Sequence, residues 1–265
     1  MTTDFSGTTA LITGASSGLG AAFAIGFARR GADVVLVARR EDRLLELAER
    51  IEHEHGVRAT PVALDLARPD AHTALRAALD NRGIRVQTLV NSAGFGVKGA
   101  FVDADPARIA AMVQLNVAAV VAITREFLPE LVRDGRGALV NIASTAAYQP
   151  CPDMAVYGAS KSFVLSFTEA LAYETRESSL RVLALSPGAT STEFFDVVGT
   201  RDAAVGRFQT PEQVVALTLN RLDRLRPPAS VVSGRANALT STLVRFLPRS
   251  LALATSGRVL AESAR

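Results

Sequence analysis

The alternation of short apolar runs with longer helix-compatible stretches constrains the fold of this chain more than any other feature. Six runs rich in β-branched residues recur along it, at 8–13, at 32–38, near residue 60, at 86–91, at 138–143 and at 180–186. Runs of this kind predict strands that are buried on both faces. The stretches between them are long enough to form crossover helices between parallel strands. We therefore predict an α/β fold, a doubly wound parallel sheet with helices on both faces.

The composition is typical of a single globular domain. The 265 residues are 48% hydrophobic and 21% charged, so we expect one folded domain over residues 1–235 and a helical tail over 236–265. Cys151 is the only cysteine, which excludes an intrachain disulfide and a metal or redox site built on a cysteine pair. The first residues show no signal-peptide pattern, and we expect a cytoplasmic protein without a bound metal.

The excess of basic charge is confined to the tail. The formal net charge is +3, but residues 235–265 contain five arginines and one glutamate, so the rest of the chain is close to neutral. A neutral body argues against nucleic-acid binding, which needs a basic stripe across a folded face. We expect the tail to pack over the pocket or against another subunit, and contact with a membrane surface is the alternative. Its predicted helical stripe contains Leu239, Leu243, Phe246 and Leu247.

A glycine-rich loop, TGASSGLG at residues 13–20, joins the first predicted strand to the first predicted helix. Glycines allow the backbone to approach a pyrophosphate, and amides at a helix N-terminus stabilise its negative charge. The alternative is a glycine-rich turn without a ligand. The residues expected to contact a dinucleotide here are Gly14, Ser16, Ser17, Gly18, Leu19 and Gly20.

Two arginines follow the second predicted strand, where dinucleotide-binding folds usually carry an acidic residue for the ribose hydroxyls. Guanidinium groups pair well with a phosphate, so Arg39 and Arg40 favour NADP(H) over NAD(H). A shift of two residues in register would place Glu41 or Asp42 near the ribose instead. At the end of the third strand, Asp65 and the adjacent Leu66 are expected near the adenine, although Asp65 could also shape a turn.

The sequence YGASK places Tyr157 and Lys161 at positions i and i+4, on one face of a helix. A free tyrosine has a pKa of about 10, so we expect the lysine ammonium to stabilise the phenolate and to hold the ribose of the cofactor. Only two of the 29 basic residues, Lys98 and Lys161, are lysines. An ordinary surface cation in this chain is usually an arginine. The lysine at position 161 therefore indicates a site that needs a compact ammonium, which a planar guanidinium cannot replace.

Two further polar residues are candidates for the same site. Ser144 ends an apolar strand, at the sheet edge where ligands of α/β proteins bind, and it could hydrogen-bond a substrate oxygen. Asn116 interrupts an apolar helix, where it could bend the helix and hold a water molecule for proton relay. For Ser144 alone a plain strand end is the alternative, and for Asn116 a buried, satisfied amide.

Taken together, these motifs resemble the short-chain dehydrogenase/reductase family, a family of single-domain Rossmann-like enzymes. The resemblance rests on TGASSGLG, NSAG at 91–94, Asn116, Ser144, YGASK and SPGATST at 186–192, with Ser92 in place of a second asparagine. It implies a catalytic tetrad of Asn116, Ser144, Tyr157 and Lys161, and a homodimer or homotetramer. It also implies cofactor contacts from Asn91, Ala93, Gly94, Tyr157, Lys161, Pro187, Gly188, Thr190 and Thr192.

The residues around the predicted site favour an apolar substrate, a lipid, steroid or aromatic carbonyl compound or the corresponding alcohol. A mobile loop over the site is expected within residues 189–209. A sensor or scaffold that binds NADP(H) without turnover is the alternative function. The apolar residues in question are Phe95, Val97, Phe101, Tyr148, Met154, Phe194 and Phe195.

Overall fold

The computed structural model describes residues 2–199 and 207–262. All seven strands run parallel in one sheet, in the order β3-β2-β1-β4-β5-β6-β7. The predicted doubly wound fold is confirmed, and the strand order reverses between β1 and β4, the point at which such sheets bind ligands. The strands are β1 Thr9–Thr13, β2 Asp33–Ala38, β3 Ala59–Ala63, β4 Thr88–Asn91, β5 Ala138–Ile142, β6 Arg181–Ser186 and β7 Ser230–Val232.

Helices cover both faces of the sheet. On one face Phe23, Phe27 and Leu44 pack on inward-facing residues of β1 and β2. On the other face Phe127 and Leu131 pack against the alternate residues of the same strands. The helices are α1 Gly18–Ala28, α2 Glu41–His55, α3 Ala71–Asp80, α4 Pro106–Val113, α5 Val120–Asp134, α6 Ala155–Glu174, α7 Phe194–Val198, α8 Pro211–Leu222, α9 Arg235–Val244 and α10 Arg249–Glu262.

Local side-chain chemistry determines where two of the helices begin. The Asp105 carboxylate accepts a hydrogen bond from the Ala107 amide at 2.9 Å, directly before the proline that opens α4. Thr210 and Gln213 form a reciprocal capping box at the start of α8. Both helix starts agree with the sequence, because a cap satisfies backbone amides that have no partner within the helix.

A π-helical turn, Gln114–Ala119, joins α4 to α5 without a break. It contains Asn116, the residue predicted to bend this helix. The continuous helical stretch is long and apolar enough, by length and composition alone, to cross a membrane. Its α5 part packs against the sheet through the fully buried Phe127 and Leu131.

The C-terminal tail is helical and folds back over the carboxyl edge of the sheet. The Ser256 hydroxyl donates a hydrogen bond to the Pro150 carbonyl at 2.6 Å, and α9 packs against β7. Several apolar side chains predicted for the stripe remain exposed, including Leu239 at 62% and Phe246 at 82%. The sheet supports this tail directly, and a partner subunit or membrane surface against those side chains stays a prediction.

Candidate active site

The main cleft opens at the carboxyl ends of β1, β4, β5 and β6, and its volume is about 880 Å³. A cavity of this size is in the range of those that bind cofactors and small substrates. Of the predicted site residues, Asn91 and Asn116 do not line it. Those that do are Gly14, Ser16, Ser17, Gly18, Leu19, Gly20, Arg39, Arg40, Asp65, Leu66, Ala93, Gly94, Ser144, Tyr157, Lys161, Pro187, Gly188, Thr190 and Thr192.

The glycine loop is closely packed and leaves the start of α1 available to an anion. A Cβ added at Gly20 would lie 2.2 Å from the Gly14 carbonyl oxygen. Gly14 has a φ of +68°, and a Cβ there would lie 2.9 Å from the Ala93 backbone. The first turn of α1 has neither a side-chain cap nor an acidic residue, so its free amides and the helix dipole fit a pyrophosphate.

The arginines after β2 lie at one end of this cleft. Arg40 donates to the Ser16 hydroxyl at 3.0 Å and to the Ser17 hydroxyl at 3.0 Å, which fixes it against the glycine loop. Arg39 is exposed and also lines the cleft, whereas Glu41 and Asp42 do not. The arginines therefore lie beside the glycine loop. The alternative register, which would put Glu41 or Asp42 there, is not the one that the structure shows.

Asp65 has a structural role as well as a place in the cleft. Its carboxylate accepts a hydrogen bond from the Ala67 amide at 3.0 Å, which shapes the turn after β3. Both Asp65 and Leu66 remain in the cleft lining. Asp65 can therefore shape the turn and also lie beside a bound nucleotide.

The side chain of Asn91, predicted among the cofactor contacts, lies in the core instead. It donates to Asn141 at 2.8 Å and to Thr124 at 3.0 Å, and Asn141 donates in turn to Thr168. All four side chains are buried. Because β4 residues alternate between faces, the last residue of the strand turns its amide towards α5 and α6 and away from the cleft.

Asn116 does not line the cleft but holds the backbone of a segment that does. In the π-helical turn its side chain accepts a hydrogen bond from the Phe95 amide at 3.1 Å and donates to the Phe95 carbonyl at 2.9 Å. A Cβ added at Gly94 would lie 3.0 Å from the Asn116 side-chain oxygen and 3.6 Å from the Lys161 ammonium nitrogen. Asn116 therefore holds the segment that follows β4. This segment brings Gly94 close to Lys161.

Tyr157, Lys161 and Ser144 meet at the floor of the cleft. Tyr157 is 9% exposed, Lys161 7% and Ser144 9%. Tyr157 and Lys161 share one face of α6, with the lysine nitrogen 5.8 Å from the centre of the tyrosine ring. The lysine donates to the Ile142 carbonyl at 2.8 Å, and the Ser144 side chain lies close enough to Tyr157 to lower the pKa of its hydroxyl. This group can deliver a proton to an oxygen placed beside Ser144.

Burial controls the proton affinities of the two titratable groups. It raises the pKa of Tyr157 to about 12, against a smaller lowering effect of the nearby Ser144 side chain. Burial also lowers the pKa of Lys161 to about 8. In the free protein desolvation is the largest influence on the tyrosine, and Ser144, not Lys161, is the neighbour that lowers its pKa. Stabilisation of the phenolate by Lys161 stays a prediction. At neutral pH Tyr157 is a protonated acid, which is the form that donates a proton.

Four of the seven apolar residues predicted near the substrate line the cleft, namely Phe95, Met154, Phe194 and Phe195. Val97 packs in the same cluster around Tyr157. The other two predictions were wrong: Phe101 is 64% exposed outside the cleft, and the hydroxyl of Tyr148 points at Ser186, 3.4 Å away. Phe101 opens one short 3-10 helix and Tyr148 ends another, and the sequence does not encode the direction of either side chain.

The comparisons with known proteins agree with this geometry. The family model for short chain dehydrogenases matches residues 8–202. The chain belongs to the short-chain dehydrogenase family. This short-chain dehydrogenase is also similar over 92% of its length to a short-chain dehydrogenase from Sphingobium yanoikuyae in complex with NADPH. The two are 34% identical, the match covers 97% of that chain, and the TM-score is 0.79. The predicted resemblance is confirmed, and the chain is an oxidoreductase of this family.

Two relatives illustrate the range of substrates among similar proteins. Sulfoacetaldehyde reductase 2 from Chromohalobacter salexigens is 40% identical over 69% of this short-chain dehydrogenase and 73% of the relative. The 7beta-hydroxysteroid dehydrogenase of Mediterraneibacter gnavus is 31% identical over 86% of each chain. One name denotes a small anionic aldehyde and the other a steroid, so similarity alone does not specify the substrate.

Two residues of the cleft, Glu193 and Asn237, and the neighbouring Arg43 were not predicted from the sequence. Glu193 lines the cleft and pairs with Arg40 and with Arg43, one turn further along α2. Arg43 could have been found from its i+3 spacing to Arg40, which puts both on one helix face. Asn237 of α9 presses on the turn after β6, where a Cβ at Gly188 would lie 2.2 Å from its amide nitrogen. Nothing in the sequence pairs Glu193 or Asn237 with these partners.

Proposed function

We propose that this short-chain dehydrogenase is a reductase that transfers hydride between NADP(H) and the carbonyl or alcohol group of an apolar substrate. The observation that carries the proposal is one continuous cleft. At one end it has the arginine-flanked glycine loop, and at the other it has Tyr157 in a cluster of apolar side chains. The cleft thus combines anion binding with an acid in an apolar pocket.

The residues present fit NADP(H) along the whole cleft. The uncapped start of α1 suits the pyrophosphate, and Arg39 and Arg40 lie where a 2′-phosphate would follow. The bound cofactor would supply or accept the hydride. The chain supplies the rest: Gly94 keeps the backbone close to Lys161, and Pro187 and Gly188 also line the cleft. The NADPH complex of the Sphingobium yanoikuyae protein supports this choice of nucleotide.

Proton transfer is assigned to the side chains at the cleft floor. The Ser144 hydroxyl would hydrogen-bond the substrate oxygen, and its effect would grow as negative charge develops there. Tyr157 would donate its proton to that oxygen during reduction and take it back during oxidation. The buried ammonium of Lys161 would stabilise the phenolate formed by this step, and Asn116 would keep the surrounding backbone in place.

The side chains facing Tyr157 support the apolar substrate class. Met154 and Phe194 line the cleft beside Tyr157, with the buried Met112 packed in the same cluster, and the Phe194 and Tyr157 rings are 5.3 Å apart at their centres. Burying an apolar group against this surface contributes about 25 cal/mol per Å². A small anion would gain little from it.

A substrate comparison tests the proposed class. We expect kcat/KM with NADPH to be at least about tenfold higher for an aromatic or steroidal ketone than for sulfoacetaldehyde, because about 60 Å² of extra apolar burial corresponds to that factor. Steady-state NADPH consumption measures both, with the same enzyme preparation as the internal control. A preference for sulfoacetaldehyde would contradict the apolar assignment but leave the reductase assignment intact.

The pKa values predict the pH dependence of reduction. Lys161, with a pKa of about 8, loses its charge as the pH rises, whereas Tyr157, with a pKa of about 12, stays protonated. We expect kcat/KM for NADPH to be level below about pH 8 and to fall above it, since this parameter reports groups of the free enzyme. Lys161→Arg should remove the inflection because arginine stays charged. A level wild-type profile up to about pH 10 would show that the lysine charge is not required.

A further inference from the structure

The ion pairs made by Glu193 lie where the 2′-phosphate of NADP(H) would bind. Arg40 donates to one carboxylate oxygen of Glu193 at 2.9 Å, and Arg43 donates to the other. Arg40 directly precedes α2, Arg43 lies in its first turn, and Glu193 directly precedes α7. A carboxylate far away in the sequence therefore occupies donors of both guanidinium groups.

The pair with Arg40 lies at the cofactor end of the cleft, and Arg43 lines an adjoining pocket that shares Ser16 with the cleft. Arg40 also donates to Ser16 and Ser17 of the glycine loop. Thr192, the neighbour of Glu193, lies over the same loop, since a Cβ at Gly18 would be 3.0 Å from its methyl group. The glutamate is thus held against the glycine loop from two sides, at the edge of the cleft that it lines.

The Glu193 carboxylate binds the two arginines as a phosphate would. Hydrogen bonds from Arg43 and then Arg40 hold the pKa of Glu193 below its usual value, so the carboxylate is charged at neutral pH. A 2′-phosphate carries more negative charge and a third oxygen, and it would bind the same guanidinium groups more strongly. NAD(H) lacks this phosphate and therefore does not compete with Glu193 for Arg40 and Arg43.

We propose that Glu193 is an internal counter-anion of the 2′-phosphate site, which NADP(H) must displace from Arg40 and Arg43 and NAD(H) need not. This rests on the proposed use of NADP(H) and adds two specificity-determining residues, Glu193 and Arg43. Glu193 lowers the affinity for NADP(H) but not for NAD(H). It thereby reduces the ratio between the two affinities. Arg43 acts together with Arg40 as a ligand of the phosphate.

Calorimetric titration of NADPH and NADH into the full-length protein and its Glu193→Gln variant tests the proposal without turnover. We expect NADPH to bind about three- to tenfold more tightly to the variant, the range available from two half-exposed ion pairs, and NADH affinity to stay the same. Arg43→Gln should weaken NADPH and leave NADH unchanged. Glu212→Gln, which removes the same charge from an exposed position on α8, should change neither affinity.

Two results would overturn the proposal while leaving the proposed function intact. One is a wild-type preference for NADPH that Glu193→Gln leaves unchanged or reduces. The other is equal tightening of NADPH and NADH in that variant, which would indicate a general effect on the cleft. A wild-type protein that prefers NADH, or binds neither nucleotide, would overturn the NADP(H) assignment and this inference together.

Discussion

Replacing Tyr157 with phenylalanine should lower kcat for carbonyl reduction by about a hundredfold to ten-thousandfold, the usual contribution of a general acid. The substitution removes the hydroxyl and keeps the ring that packs on Phe194. NADPH affinity and thermal stability should therefore change little. Single-turnover rates with saturating NADPH, together with a calorimetric Kd, measure the two effects separately.

The chain has a suitable control for this change. Tyr173 lies on the same helix, α6, but is 67% exposed and outside the cleft. Tyr173→Phe should retain the wild-type rate. If Tyr157→Phe kept more than about a tenth of the wild-type rate, a group other than Tyr157 would have to supply the proton.

Replacing Gly20 with alanine should give the second large effect, because the new methyl group would lie 2.2 Å from the Gly14 carbonyl oxygen. Backbone cannot rotate away as a side chain can, so the glycine loop must move. We expect a loss of about 1 to 3 kcal/mol in unfolding free energy, the usual range for overpacking, and a weakening of NADPH binding of at least about tenfold. Chemical denaturation and calorimetric titration measure the two quantities.

Gly26→Ala is the matched control in the same helix, α1. A methyl group there would meet side-chain atoms of Leu219 and Val215 at 3.0 Å, and no backbone is among its close contacts. Since alanine also favours helix over glycine, we expect only a small change in stability and none in NADPH affinity. Equal losses in the two variants would mean that the close packing of the glycine loop has no special part in cofactor binding.

The sequence predicted the parts of the fold that depend on local patterns. Strands such as Asp33–Ala38 are continuous apolar runs, and the caps at Asp105 and Thr210 act within a few residues of themselves. The glycine loop and the Tyr157 and Lys161 pair also depend on short-range spacing. These features require no knowledge of distant contacts, which is why they could be read from the chain.

The remaining features depend on contacts between distant residues. Strand β7 has three residues, all partly exposed, and lacks an apolar run that would predict it. The inward direction of the Asn91 amide is determined by Thr124 and Asn141, which lie on other elements. The pairing of Glu193 with Arg40 joins residues more than a hundred positions apart. No local pattern encodes such contacts.

The most direct test of the central claim is to follow a label from cofactor to product. NADPH deuterated at both C4 positions of the nicotinamide would be incubated with the protein and an aromatic ketone, and the product alcohol analysed by mass spectrometry. The proposed function predicts an alcohol with deuterium at the carbinol carbon, formed by wild type and nearly absent with Tyr157→Phe. Tight binding of NADPH without labelled alcohol from any ketone tested would contradict the account and favour a sensor or scaffold that binds the nucleotide without turnover.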